Sequence, residues 1–375
     1  MLMAAQDFPP RRGGLQTYGF ELARRLAPKC HRFCLVAPRT RGARALDRTL
    51  SFSMIRVGGG EDHFAWTSAY SQYRAWRSTR PDLVFCTHWA SCVPWLFRSG
   101  PRVCVAAHGR ELLLDPFARV QAVARGYDRL RRSVLCRAHR VLCVSHYTAE
   151  WVTALGVPAD RIRIIPNGTD PERFRPGTAD PWRRRLGLEH RTVLLTVGRL
   201  VPRKGVDRLI RVVARLRESF SALALVVAGE GPERHRLQRL IDELNLQSTV
   251  FLVGAVLDQE LPSLYNLADI FVAPIRSEPP DVEGFGLVFL EAAASGLPVV
   301  GPDRGGPSEV IVPEVTGLTV NPDSDQALYA AIERLLANPR LRACLGSAGR
   351  RHALQRYHWD DIAERVWQTL AEVVP

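Results

Sequence analysis

Two stretches of the 375-residue chain combine side chains suited to a phosphorylated, hydroxyl-rich ligand. In the first, Gly198-Arg199-Leu-Val-Pro-Arg-Lys204-Gly205, the cations Arg199 and Lys204 stand next to the bracketing glycines where a strand gives way to a helix. Cations beside a helix N-terminus, whose N–H groups are unpaired, make an anion site, and a diphosphate fits it. Solvated loop charges would explain either cation alone; the bracketing glycines favour phosphate. In the second, Asp281-Val-Glu283-Gly-Phe285-Gly286-Leu287 leads into a helix that carries Glu291 about two turns in. The N–H groups of Phe285, Gly286 and Leu287 would open that helix and face a ligand. A carboxylate in the apolar run Leu287–Ala294 is costly to bury without a partner, and sugar or ribose hydroxyls are suitable ones. The bland alternative is a capping Glu followed by a core Glu bonded to backbone.

The elements that must position these residues alternate regularly. Strands are expected at Leu2–Ala5, Arg32–Ala37, Leu83–Cys86, Val103–Ala107, Val141–Val144 and Ile162–Ile165, with helices over Leu15–Leu26 and Arg119–Cys136. After a polar, Pro- and Gly-punctuated stretch, strands recur at Thr192–Val197, Ala222–Ala228, Val250–Val253, Ile270–Ala273 and Pro298–Val300. Helices separate them at Val206–Leu216, Pro232–Leu244, Leu261–Leu267, Gly286–Ala294 and Gln326–Ala337. Continuous apolar strands between amphipathic helices predict parallel sheets covered on both faces. The expected fold class is therefore α/β, with two Rossmann-like, doubly wound domains facing a cleft. The domains are placed at 1–170 and 188–355, joined by a linker at 171–187, with a C-terminal helix at 356–375 packing back on the first. Ligands of such sheets bind at the carboxyl ends of the strands, so function should lie in the loops that follow them.

Composition narrows the choice further. Apolar residues at 46% and charged residues at 24% suit a globular chain, and no apolar run reaches the roughly 18 residues that span a bilayer. Met1–Ala5 is too short for a signal-peptide core, and the first strand reads short at its N-terminal end, as if truncated. The formal charge of +13 is one-sided. Residues 1–180 hold 28 Lys and Arg against 14 Asp and Glu, and the remainder holds 23 against 24. Such asymmetry suggests an anionic partner for the first domain. Phe64, Trp66, Tyr70, Tyr73 and Trp76 recur with Arg74, Arg77 and Arg80, followed by Trp89, Trp95 and Phe97, a mixture that interfacial segments use on anionic lipid. Ring packing inside the first domain is the competing explanation. Eight cysteines form no CxxC pair and no Cys/His cluster, which predicts core residues in a reducing cytoplasm and no metal site.

Arg199, Lys204, Gly229-Glu-Gly231 and the Glu283-x7-Glu291 spacing resemble the retaining nucleotide-sugar glycosyltransferases of family 4, whose fold is GT-B. The resemblance runs from Asp7-Phe-Pro-Pro-Arg-Arg-Gly-Gly14 through Ala107-His108-Gly109, Val144-Ser145 and Ile165-Pro-Asn-Gly168 to near Trp359. Its wording is most similar to bacterial phosphatidylinositol-mannoside mannosyltransferases. It implies that Arg199 and Lys204 neutralise the leaving diphosphate and that Glu283 contacts hydroxyls of the transferred sugar. It further implies that Glu291 holds the ribose and that the turn at Gly13 and Gly14 admits backbone N–H groups to phosphate. His108 would lie near the anomeric carbon. Gly229, Glu230, Val253, Phe285, Gly286 and Leu287 complete the expected nucleotide-sugar set. No cofactor is expected, and an Asp-x-Asp metal motif is taken to be absent, the chain's own cations taking that part. The implied donor is GDP-mannose, with a UDP-sugar behind it. The implied acceptor is lipid-linked, phosphorylated or a glycan, met by a cytoplasmic enzyme docked on the inner face of the membrane. A glucosyl- or N-acetylglucosaminyltransferase, a sugar-nucleotide epimerase and a non-enzymatic scaffold are the alternatives. Nucleic acid is not an expected partner, since the aromatics follow no RNA-binding pattern.

Overall fold

The computed structural model describes residues 1–11, 13–58, 64–96, 100–114, 120–178, 180–276 and 279–374. They form two compact units, Met1–Asn167 with Trp359–Pro375, and Gly168–His358.

In the first unit the strands are β1 (Leu2–Ala4), β2 (Cys34–Pro38), β3 (Ser53–Val57), β4 (Leu83–Cys86), β5 (Arg102–Ala107), β6 (Arg140–Cys143) and β7 (Ile162–Ile164). They pair in the order β3-β2-β1-β4-β5-β6-β7. The second unit holds β8 (Thr192–Val197), β9 (Leu223–Ala228), β10 (Val250–Gly254), β11 (Ile270–Val272), β12 (Val299–Pro302) and β13 (Gly317–Val320), in the order β10-β9-β8-β11-β12-β13. Pairing is parallel throughout. Parallel sheets bury both faces, which is why β1, β2, β4, β9 and β11 are buried along their whole length and lack polar alternation. Each sheet is a doubly wound α/β layer, as the alternation predicted. The chain winds outward in two directions from β1/β4 in one unit and from β8/β11 in the other, and these reversals are the ligand-binding switch points of such sheets.

Several elements departed from expectation. Asp180–Leu186, inside the stretch read as a linker, is a helix of the second unit, where Arg183 bonds the Leu267 carbonyl (2.8 Å) and Asp269 (3.0 Å). At the C-terminal end there is no such departure: helix Pro339–Arg356 belongs to the second unit, and helix Trp359–Ala371, within the stretch 356–375, belongs to the first. The latter is pinned to helix Gly14–Leu26 and its exit by Arg25–Asp360 (2.5 Å) and Lys29–Glu364 (2.6 Å), with the Trp359 ring 6.3 Å from that of Tyr18. In the aromatic-rich stretch the Tyr73 and Trp76 rings are half-buried and stack at 5.9 Å. Phe64–Thr79 is a helix whose buried Gln72 accepts from the Trp95 indole at 2.6 Å. Trp89 and Trp95 are core residues, whereas Tyr70 is exposed; Phe97 and the side chains of Phe64 and Trp66 lie outside what is described. Among the described residues no helix is long and apolar enough to cross a membrane, and no group of three His, Cys, Asp or Glu could hold a metal.

Candidate active site

In the second unit the switch point sets the turn after β8 beside the loop after β11. Val197 ends β8; Pro202–Lys204 makes one tight turn, and Gly205 starts helix Val206–Leu216. From this turn Lys204 Nζ donates to Glu283 Oε2 at 2.8 Å. Arg203 donates from Nη1 to the same oxygen and from Nε to Asp281 Oδ1 at 3.0 Å. Burial alone would raise the Glu283 carboxyl, but the Lys204 and Arg203 charges and hydrogen bonds outweigh it and hold it at about 2. Glu283 is therefore anionic at neutral pH. Arg199, by contrast, is exposed and makes no ion pair among the described residues. The structure thus joins Lys204 to Glu283 and leaves Arg199 as a cation facing solvent.

Two glycines shape this loop cluster. A Cβ on Gly229 would fall 1.8 Å from the Gly198 carbonyl oxygen, so the loop after β9 can seat against the Arg199 loop only without a side chain. Gly286 caps helix Leu287–Ala294 at φ +93°, where a Cβ would also meet the Phe289 ring at 2.9 Å. The first turn of that helix opens beside the buried Phe285. Glu230 is turned outward to Arg234 (3.2 Å), and Val253 lies in β10, which docks through the Gly254 carbonyl on the Gly229 N–H (2.8 Å).

Glu291 does find a partner. The Tyr265 hydroxyl, 26 residues away on helix Leu261–Leu267, donates to Glu291 Oε2 at 2.6 Å. Burial pushes the Glu291 carboxyl up to about 7, with Tyr265 and Arg173 pulling it down and Asp258 pushing it further up. Contrary to expectation the chain does hold an Asp-x-Asp, Asp323-Ser324-Asp325, but its side chains pair within the fold. Asp325 pairs with Arg208 (2.5 Å), Asp323 pairs with Arg304, and Ser324 caps helix Asp325–Ala337.

The first unit gathers a second polar group at its strand ends. His108 follows β5, its Nε2 facing the Thr87 carbonyl at 3.1 Å and its ring edge-on to Tyr18 at 4.7 Å. A carbonyl only accepts, so Nε2 carries the ring proton. Glu111 accepts from the N–H groups of His108 and Gly109. His88, following β4, accepts the Ala90 N–H on Nδ1 at 3.1 Å. Burial lowers both imidazoles, His88 to about 4 despite Glu111, so both are neutral at pH 7. Gly13 and Gly14 lie in this unit at the entry to helix Gly14–Leu26, with the Gly13 carbonyl capped by Thr17.

The sequence profile described as Glycosyltransferase Family 4 matches residues 12–173, and that described as Glycosyl transferases group 1 matches residues 179–352. A GDP-mannose-dependent alpha-(1-6)-phosphatidylinositol monomannoside mannosyltransferase of Mycolicibacterium smegmatis is 33% identical over 99% of this chain and 98% of its own. The chain belongs to the family 4 glycosyltransferases. Its fold is that of GT-B enzymes. Anabaena HepE in complex with UDP superposes with a TM-score of 0.82 at 20% identity, covering 99% of each chain. Sucrose-phosphate synthase of Thermosynechococcus elongatus superposes with 0.81 at 24%, covering 99% of this chain and 98% of that one.

In this family 4 glycosyltransferase, motif spacing pointed to Lys204, Glu283 and Glu291 but passed over Arg203, Asp281, Tyr265 and His88. Arg203 adjoins Lys204, and a check of every cation in that loop would have raised it. Tyr265 carries no local signal, because its partner lies beyond strand β11, in the next helix.

Proposed function

We propose that the protein is a retaining mannosyltransferase that moves mannose from GDP-mannose to a lipid-linked, phosphorylated acceptor of the mannosylated phosphatidylinositol class. The observation that carries the donor half is the Lys204–Glu283 contact at the β8/β11 switch point, a cation and a fixed carboxylate within 2.8 Å of each other where a nucleotide sugar would sit. Charge develops on the β-phosphate as the nucleoside diphosphate leaves, and Lys204 with Arg199 would meet it. The anionic Glu283 would accept hydrogen bonds from hydroxyls of the transferred sugar, the helix-opening N–H groups of Phe285, Gly286 and Leu287 lying beside it. Glu291 would accept from the ribose, sharing its carboxylate with Tyr265. Attack from the same face as departure gives retention without a covalent enzyme intermediate, and the cations stand in for a divalent metal.

Support for mannose and for the phosphoinositide acceptor comes from the full-length mycobacterial relative, and from the cationic surplus of residues 1–180. In this reading the first unit takes the acceptor and His108 attends the reacting carbon. A thermal-shift panel of GDP, UDP, ADP and their sugars tests the donor first, because a ligand bound only by the folded chain raises its melting point. Transfer of radiolabelled mannose to phosphatidylinositol mannoside then tests the acceptor. Stabilisation by UDP and UDP-glucose with none by GDP would overturn the mannose assignment. Conversion of the donor without any acceptor would mark an epimerase.

A further inference from the structure

Arg203 ties together two loops that come from different strands. Its carbonyl accepts the Arg276 N–H at 2.8 Å, its Nε donates to Asp281 at 3.0 Å, and its Nη1 donates to Glu283. One residue after β8 thus holds positions 276, 281 and 283 after β11. The side chain is largely buried, at 17% exposure. Lys204 also reaches Glu283, but an ammonium on a flexible four-carbon stem sets distance, not direction; a planar guanidinium fork sets both. We propose that Arg203 is a positioning residue: gripped by Asp281, it holds the Glu283 carboxylate in register with the donor sugar. This rests on the assignment of Glu283 to the donor.

The charge balance shows why such a hold is needed. Arg203 and Lys204 meet Asp281 and Glu283, so the four side chains are neutral as a set. An arriving diphosphate adds anionic charge, and Lys204 is drawn from Glu283 towards it. Glu283 would then lose its partner at the moment when its orientation matters. Arg203 has a second carboxylate behind it and is not free to follow Lys204, so it keeps Glu283 in place through the exchange. Asp281 is the anchor of this arrangement rather than a ligand of the donor.

Arg203→Ala, Arg203→Lys and Asp281→Asn test the proposal, with Glu283→Gln as the control for its foundation. For Arg203→Ala, kcat should fall about 10- to 100-fold, the loss that misplaced reacting groups cause. Donor KM should move less than about threefold, since binding shared by ground and transition states is kept. Nucleoside diphosphate affinity should stay within about twofold of the wild type, because Arg199 and Lys204 remain. Arg203→Lys keeps the charge without the fork and should recover only part of kcat, and Asp281→Asn should resemble it. Melting temperatures identify any variant that has lost the fold, in which case Arg203→Lys and Asp281→Asn carry the test. Wild-type kcat in the folded variants overturns the proposal. So does a diphosphate affinity that weakens in step with kcat, which would make Arg203 a phosphate ligand. If Glu283→Gln itself retains transfer, the donor-site assignment fails; if it is inactive while the Arg203 and Asp281 variants are normal, only the positioning role fails.

Discussion

Glu291→Gln should make the protein more stable in mildly alkaline buffer relative to acid. The Glu291 carboxyl stands at about 7 in the folded chain against 4.5 in an open one, raised chiefly by burial. The groups that face it are Tyr265 on helix Leu261–Leu267, Arg173 from the segment entering the second unit, and Asp258. Between the two values the folded chain keeps a proton that the unfolded chain has lost. Stability from this group is therefore full below 4.5 and is lost as pH rises through about 7. At about 1.4 kcal/mol per pH unit, the whole gap is worth about 3 kcal/mol, of which about 2–3 kcal/mol falls between pH 5 and pH 8. Glutamine preserves an acceptor for the Tyr265 hydroxyl and does not titrate. The variant's stability minus the wild type's should accordingly rise by about 2–3 kcal/mol from pH 5 to pH 8, every other titrating group cancelling in the difference. Urea unfolding of both proteins at several pH values, followed by circular dichroism, measures this directly. A difference constant to within about 0.5 kcal/mol would refute the buried, proton-holding carboxyl, because extrapolation error alone is of that order.

Lys204→Ala and Glu283→Gln should each abolish transfer with the fold intact, the loss of a transition-state charge contact costing about 2–4 kcal/mol; near-normal turnover in either would remove the residue from the site. EDTA should leave activity largely unchanged, whereas strict dependence on added magnesium or manganese would show that Arg199 and Lys204 do not suffice for the diphosphate. Vesicles of phosphatidylglycerol should co-sediment the protein at low salt and release it as salt rises, since the surplus cations lie in residues 1–180. Indifference to anionic vesicles at low salt would favour a water-soluble acceptor.

Much of the architecture was legible in the chain itself. Hydrophobic periodicity is local, and helix Val206–Leu216 and β8 fall within the predicted bounds because strand and helix periods differ over a few residues. Short or mixed segments escaped it. Strand β13 contains Gly317, whose Cβ would lie 2.4 Å from the Val299 carbonyl; the residue chosen for close packing breaks the apolar run that would have announced a strand. The Phe64–Thr79 helix carries no clear apolar period, and composition does not say which of its rings turn inward.

The residue types of the candidate site were likewise determined by sequence: the Gly-bracketed cations Arg199 and Lys204, and two glutamates eight positions apart. Their partners were not. Glu283 meets Arg203 and Lys204 across 80 and 79 positions, and Glu291 meets Tyr265 across 26. The Glu283 pairings exist because the strand order sets β8 beside β11, and neighbouring strands release their loops at the same edge of the sheet; the Glu291 pairing joins the helices that precede β11 and β12. Burial then raises Glu291 to about 7, whereas the Lys204 and Arg203 charges hold Glu283 at about 2 against burial, both from a common 4.5. Local sequence specifies which chemical groups are available. Only the packed sheet determines which of them touch and how far each is removed from water, and the strength of every electrostatic contact depends on those two quantities.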